Sequence, residues 1–301
     1  MGNKQKPDLT NVNRGLKDFQ KNSVDYVFKR LYEDLNTTNR FLIADEVGLG
    51  KTLVAKGVIA RAINHLWDKV KRLDVIYICS NTDIARQNIR RLKVTDNGFS
   101  LASRITLLPS KLKELNENKL NFISFTPGTS FNLRSSTGVY QERALLYWIL
   151  REAWDFGSIK GPVNLLQCDA YKDNWREHLK KYSRNMIDPE LKESFIRAIN
   201  ESDDLKNRFE DLIYRFRHYK ENIPREDRWA RNKFIGDVRE KLAVTCIHAL
   251  KPDLIILDEF QRFKYLLDKN NPTGQLAHEL FGHENENFGV DTKTLLLSAT
   301  P

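Results

Sequence analysis

Cysteine is scarce in this sequence. Its three residues, Cys79, Cys168 and Cys246, stand far apart. So few thiols, odd in number, argue against a disulfide framework, and their spacing matches no metal site. The expected compartment is therefore a reducing cytoplasm. Long apolar runs are missing as well, and none approaches the ~20 residues needed to span a bilayer. The opening MGNKQKPDLT is polar and offers no signal-peptide core, and Lys6 stands where a myristoylation motif needs Ser or Thr. There is no internal repeat and no low-complexity tract. What is present is ordinary for a globular chain: 41% hydrophobic and 30% charged residues over 301 positions, enough for one large domain or two of usual size.

The net charge of +9 is unevenly spread. Residues 1–138 carry 23 Lys and Arg against 13 Asp and Glu, residues 139–250 carry 21 against 19, and residues 251–301 carry 5 against 8. The basic excess includes Arg86, Arg90, Arg91, Lys93, Arg104, Lys111, Lys113 and Lys119. Such an excess attracts polyanions, nucleic acid first among them. A solvated face that only aids solubility accounts for it equally well.

Short, nearly continuous apolar runs alternate with helical patterns. Strands are expected at 41–44, 74–79, 104–108, 121–125, 253–257 and 293–298, the pattern of parallel strands covered on both faces. After Thr52, the residues Val54, Val58, Ala62 and Leu66 recur every four, marking one face of a helix. Strands alternating with helices imply an α/β sheet with crossover connections. Residues 136–249 show no strand pattern and hold Trp148, Trp154, Trp175 and Trp229. There Asp188-Pro189 reads as an N-cap followed by the first helical residue. Ser202-Asp203-Asp204 opens another helix, with Leu205, Phe209, Leu212, Ile213 and Phe216 on one face. The expected division is 1–135 and 250–301 for the α/β part, with an all-helical insertion at 136–249.

The stretch FLIADEVGLGKTLVAKG (41–57) carries the chemistry. An apolar strand leads into Gly48 and Gly50, then Lys51 and Thr52, then a helix. A phosphate cradle needs backbone N–H groups converging on oxygen atoms, a helix N-terminus behind them, and a lysine within reach. Lys51 would serve the β and γ phosphates, and Thr52 would place a hydroxyl on Mg²⁺. Asp45 stands where the generic pattern begins with Gly, and a plain strand-to-helix turn is the ordinary alternative. A second signal tips the balance. LIILDE (254–259) ends an apolar strand in two carboxylates, Asp258 suited to hold Mg²⁺ and Glu259 to orient and deprotonate a water. Nucleotide binding is therefore expected.

With these residues in place, the chain resembles the superfamily 2 helicases and translocases. DEVGLGKT (45–52), DEFQ (258–261) and SAT (298–300) resemble motifs I, II and III, the first closest to Swi/Snf-type translocases. LKDFQ (16–20) resembles the Q motif, ICSNTDIARQ (78–87) motif Ia, and FTPGTS (125–130) motif Ib, the last nearer to DEAD-box proteins. FTPGTSF and DEFQRF also resemble segments of large bacterial helicase-like proteins linked to phage defence or restriction. The resemblance implies a RecA-like P-loop domain that binds ATP and Mg²⁺. Gln20 would read adenine, and Gly48, Leu49, Gly50, Lys51, Thr52 and Leu53 would line the nucleotide. Ser80, Asn81, Arg86, Thr126 and Gly128 would grip nucleic-acid phosphates, DNA before RNA. Gln261, Ser298 and Thr300 would couple the two sites. A second RecA-like half with motifs IV to VI and an arginine finger is implied outside residues 1–301, so these residues alone are expected to hydrolyse ATP slowly. In the insertion, Arg208, Arg215, Arg217 and Arg231 could form a surface for duplex or protein, or simply salt-bridged helix faces. Two other functions stay open on sequence: a nucleotide-dependent binding module without motor activity, and an RNA helicase, suggested by Thr-Pro-Gly.

Overall fold

The computed structural model describes residues 6–45, 49–95, 99–102, 104–133, 137–182, 186–201, 203–218, 222–281, 284–285 and 290–299. The chain divides into two compact units. One comprises Met1–Arg104, Glu114–Phe131 and Leu250–Pro301, the other Ile105–Lys113 and Asn132–Ala249.

The first unit is built on a parallel sheet. Its strands are β1 (Arg40–Ala44), β2 (Leu73–Ile78), β3 (Phe99–Ala102), β4 (Leu120–Phe125) and β5 (Leu254–Asp258). A two-residue antiparallel ladder, β6 (Glu284–Asn285) with β7 (Val290–Asp291), precedes the last strand, β8 (Lys293–Ser298). The sheet order is β1-β8-β5-β2-β4-β3, with every pair parallel. The near-continuous apolar runs have the expected cause: every residue of β2, β4 and β8 is buried. Alternation still sorts the faces. Val75, Tyr77, Leu254, Ile256, Leu295 and Leu297 share a core with the helices Asp18–Phe28, Lys51–Leu66 and Thr82–Leu92.

Helix Lys51–Leu66 buries the whole four-spaced stripe, Val54, Val58, Ala62 and Leu66. It packs closely against helix Asp18–Phe28. A Cβ at Gly57 would meet Val24 Cγ2 at 2.5 Å. Only glycine permits that approach, and the approach sets the start of helix Asp18–Phe28 against the turn that follows β1.

One strand assignment is corrected. Residues 104–108 do not form a strand: Ile105–Ser110 is a 3₁₀ turn, and the strand lies earlier, at Phe99–Ala102. Ile105 and Leu108, three apart, both bury their side chains, which suits a three-residue repeat. Pro109, which has no N–H for a ladder, sits inside the turn.

The second unit is helical, and among its described residues no strand occurs. Its helices are Tyr140–Ala153, Lys160–Gln167, Lys172–Lys181, Pro189–Asn200, Asp203–Arg215 and Arg225–Leu250. Asp188 caps the fourth, accepting from Leu191 N at 3.0 Å, with Pro189 as its first residue. Leu205, Phe209, Leu212 and Phe216 are buried, and Ile213 is half-buried. Trp154 and Trp175 lie in the core, whereas Trp229 is exposed. A buried ion pair, Arg239 Nη2 to Glu142 Oε1 at 3.1 Å, ties the first of these helices to the last. Glu142 also accepts from Thr106 Oγ1 and, at 2.6 Å, from Val139 N, so the buried charge is well supplied with donors.

The N-terminal edge of the sheet holds a buried polar cluster. Asp74 pairs with Arg72 at 2.7 Å and accepts from Asn121 Nδ2 at 2.8 Å. Asp253 accepts from Asp74 N at 2.8 Å. Burial pushes the Asp253 carboxyl up to about 7; the Asp74 amide opposes the shift and the Asp74 charge adds to it. The folded chain thus keeps a proton over an interval in which the unfolded chain, with a carboxyl near 3.8, has lost it. Stability should therefore fall as pH rises from about 4 to about 7, by about 4 kcal/mol for this one group. Asp253→Asn, neutral throughout and still an acceptor, should flatten that slope and be the more stable protein at pH 8. Urea midpoints of both proteins across this range check it; parallel pH profiles would remove Asp253 as the cause.

Candidate functional site

The C-terminal edge of the sheet gathers the residues the sequence marked. β1 ends at Ala44, and Asp45 follows. Of the cradle residues, Gly48 lies outside the described residues. Leu49 is exposed, and Gly50 takes a left-handed conformation, φ +87° and ψ 36°, as the residue before the helix. The amides of Leu53 and Val54 bond to Gly50 O at 2.8 and 3.1 Å. The first turn of a 16-residue helix therefore opens at this point, with its N–H groups and positive dipole end facing the sheet edge. Lys51 and Thr52 are half-buried, and Lys51 Nζ donates to Asp45 O at 2.8 Å. Leu53 is exposed.

Gln20 is buried against this turn. Its Nε2 donates to Leu49 O at 3.1 Å and its Oε1 accepts from Lys17 N at 3.0 Å. A Cβ on Gly50 would meet Gln20 Nε2 at 2.5 Å. The amide thus clamps the turn to the start of helix Asp18–Phe28, and one N–H and one lone pair remain for other partners.

Register brings the acidic end to the same edge. Ala44 lies opposite Ser298, and Asp258 opposite Leu297. β8 alone separates β1 from β5, so their backbones run about 10 Å apart. Leu254 and Ile256 face the core that contains helix Lys51–Leu66, and Asp258, two residues further, projects to that face. Its Oδ1 accepts from Glu259 N at 3.0 Å, and its Oδ2 accepts from the Tyr77 hydroxyl. Burial, then the Asp258 charge, pushes the Tyr77 phenol far up, so it stays protonated and remains a donor. Asn88 Nδ2 donates in turn to the Tyr77 oxygen at 2.7 Å. Glu259 takes a left-handed backbone, φ +53°, and pairs with Arg262 at 3.2 Å. Both partners are well exposed, so that pair contributes little. Gln261 Oε1 is buried with no hydrogen-bond partner among the described residues. Ser298 is buried, and Thr300 lies outside the described residues.

The remaining residues form a second group. β2 and β4 are neighbours, with Ile78 opposite Phe125, so the segments that carry Ser80 and Asn81 and Thr126 and Gly128 leave the sheet from adjacent strand ends. Asn81 caps helix Thr82–Leu92, its Oδ1 accepting from Asp83 N at 2.7 Å. Thr126 is buried, its Oγ1 2.6 Å from Thr129 Oγ1, and an added Cβ at Gly128 would meet open space. Arg86 is exposed and pairs with Asp83 at 3.6 Å, and Arg90 and Arg91 are exposed on the same helix. In the helical unit, by contrast, Arg208 bonds Asp237 at 2.9 Å, Arg215 bonds Asp211 at 2.7 Å, and Arg231 is buried. Arg217 lies 4.1 Å from the centre of the Tyr214 ring.

Tyr77, Asn88 and Arg262 were not among the sequence candidates. Tyr77 had a legible signal, since a tyrosine inside a fully buried strand needs a partner for its hydroxyl. The partner itself belongs to a strand about 180 residues away in sequence. Among the described residues, no helix is long and apolar enough to cross a membrane, and no group of three His, Cys, Asp or Glu side chains could hold a metal by itself.

No family model, curated protein or solved structure matches this chain.

The left-handed backbone at Glu259 is strain stored at this edge. Glu259→Gly should raise stability by about 1 kcal/mol, because glycine adopts this conformation without the Cβ clash. Glu259→Gln, which keeps the Cβ, should leave stability unchanged. Thermal or urea midpoints of the two variants check this, and a destabilised glycine variant would mean the backbone there is relaxed.

Proposed function

We propose that the chain is the N-terminal, RecA-like ATPase half of a superfamily 2 motor that moves on nucleic acid, DNA before RNA. One observation carries the reading. On a single parallel sheet, a glycine bend with Lys51-Thr52 at a helix start and the Asp258 carboxylate at the end of β5 reach the same edge on the same face, with Glu259 the next residue. The six motif resemblances, in chain order, point the same way.

The donor chemistry fits. Thr52 and Asp258 offer a hydroxyl and a carboxylate, the hard oxygen ligands of Mg²⁺, a cation that takes its remaining ligands from water and phosphate. Mg²⁺ held there would neutralise charge on the β and γ phosphates. The protein's own part is then positioning. The helix N-terminus and Lys51 bind phosphate oxygens, Lys51 exchanging its bond to Asp45 O for them. Gln20 spends its free N–H and lone pair on the adenine edge, beside Leu49 and Leu53. Glu259 orients a water in line with the γ phosphorus and takes its proton as the bond to the leaving ADP breaks. Gln261, Ser298 and Thr300 would link motif II to the nucleic-acid group. A second RecA-like half would bring an arginine to the developing charge, a contribution of ~10³–10⁵ in rate.

The direct test is Lys51→Ala. Binding of a fluorescent ATP analogue in Mg²⁺ should weaken about 10- to 100-fold, the scale of a lost hydrogen bond to a charged group, while the thermal midpoint of the nucleotide-free protein stays as in the parent. Nucleotide binding equal to the parent's would discard the cradle. In a protein assembled with its second half, Glu259→Gln should retain ATP and lose turnover, and duplex DNA should stimulate hydrolysis by the parent more than RNA does. Normal turnover would remove Glu259 as the base.

A further inference from the structure

Three side chains join the helix that follows β2 to the acidic end of β5. Tyr77 lies in the interior of β2 and is almost fully buried. Its hydroxyl donates to Asp258 Oδ2 and receives the Asn88 amide at 2.7 Å. The direction of the chain is determined by chemistry. A carboxylate can only accept, so the phenol donates to it. The phenol oxygen must then accept, and only the NH₂ side of the Asn88 amide can donate. Asparagine is a weak helix former, yet Asn88 stands inside helix Thr82–Leu92 beside the stripe Ala85, Ile89 and Leu92 that packs on the sheet. The same helix exposes Arg86, Arg90 and Arg91 and begins at the Asn81 cap, in the group next to Thr126 and Gly128.

We infer that Tyr77 and Asn88 are positioning residues. Their hydrogen-bond chain holds the Asp258 carboxylate and couples polyanion binding on helix Thr82–Leu92 to binding of the magnesium nucleotide. The inference rests on the reading above, because it takes Asp258 as a ligand of the metal. It adds a connection that does not pass through Ser298 or Thr300. A displacement of the helix under a bound phosphate backbone carries Asn88 with it, and the Asn88 amide then turns the Tyr77 hydroxyl, whose strand stays in place. The lone pairs of Asp258 Oδ2 then turn with the phenol. Reciprocity follows: if polyanion tightens nucleotide binding, nucleotide tightens polyanion binding by the same factor.

The test compares the parent chain, Tyr77→Phe and Asn88→Ala, both chosen because they keep or reduce side-chain volume. Binding of the fluorescent ATP analogue is measured against Mg²⁺ concentration, in EDTA, and with or without a short duplex DNA. In the parent, DNA should tighten magnesium-nucleotide binding about 5-fold or more, the lower end of measured couplings. Tyr77→Phe should raise the Mg²⁺ concentration at half-saturation about tenfold, as expected when a charged acceptor loses its donor, with affinity in EDTA unchanged. Asn88→Ala should raise the Mg²⁺ half-saturation by less than Tyr77→Phe does and abolish the DNA effect. A merely structural role would instead lower all affinities together with the melting temperature. Parent-like magnesium dependence and DNA response in both variants would overturn the chain of coupling, as would a parent that binds magnesium nucleotide with no response to DNA. A parent that fails to bind the nucleotide at all would overturn the ATPase reading first, and this inference with it.

Discussion

Parallel pairing across β1, β8 and β5 is the constraint on which the rest of the first unit depends. Parallel strands in register must end together. The turn after Ala44, the carboxylate of Asp258 and the hydroxyl of Ser298 therefore share one edge whatever the intervening chain does. β8 is buried throughout and β5 as far as Leu257, and a slip of β5 by one residue would turn Asp258 away from the face that holds helix Lys51–Leu66 and take Leu254 and Ile256 out of that core. The geometry of the candidate site is thus enforced by hydrophobic burial several residues away from it.

The two edges of that sheet treat polar groups differently. At the N-terminal edge, Asp74, Asn121 and Asp253 are buried and, with half-buried Arg72, joined by hydrogen bonds, although the Asn121 carbonyl oxygen has no described partner. At the C-terminal edge, Gly50 and Glu259 hold left-handed conformations, Lys51 rests on a backbone carbonyl, and the Gln261 carbonyl oxygen has no described partner. The helical unit follows a different economy. There Arg208 and Arg215 bond neighbouring carboxylates, Arg143, Arg231 and Arg239 are buried, and aromatic rings pack among the aliphatic side chains of the core.

Much of this was legible in the residues. Val54, Val58, Ala62 and Leu66 announced the helix after the glycine bend, Asp188-Pro189 announced a capped start, and five of the six expected strands lie within a residue or so of their expected bounds. The failure at 104–108 is instructive. RITLL has the composition of a strand, but Pro109 and the paired burial of Ile105 and Leu108 favour a three-residue repeat, and that segment joins the helical unit. Composition alone does not distinguish a two-residue from a three-residue period over five positions. The roles of Tyr77, Asn88 and Arg262 were out of reach for another reason: each depends on a partner or a backbone conformation that sequence spacing does not encode.

Local chemistry is what the sequence determined by itself. A glycine bend before Lys51-Thr52, an apolar run closed by Asp258-Glu259, capped helices and strands buried on both sides all follow from short-range preferences of φ, hydrophobic periodicity and capping. Adjacency was decided only by tertiary structure. Sheet order put β8 between β1 and β5, register matched Asp258 to Leu297, the missing Cβ of Gly57 let helix Asp18–Phe28 press Gln20 onto Gly50, and packing of helix Thr82–Leu92 set Asn88 over Tyr77. The physical reason is that pairing and packing select among many arrangements of the same elements by total buried area and satisfied hydrogen bonds, a sum over distant residues that no single stretch of chain contains.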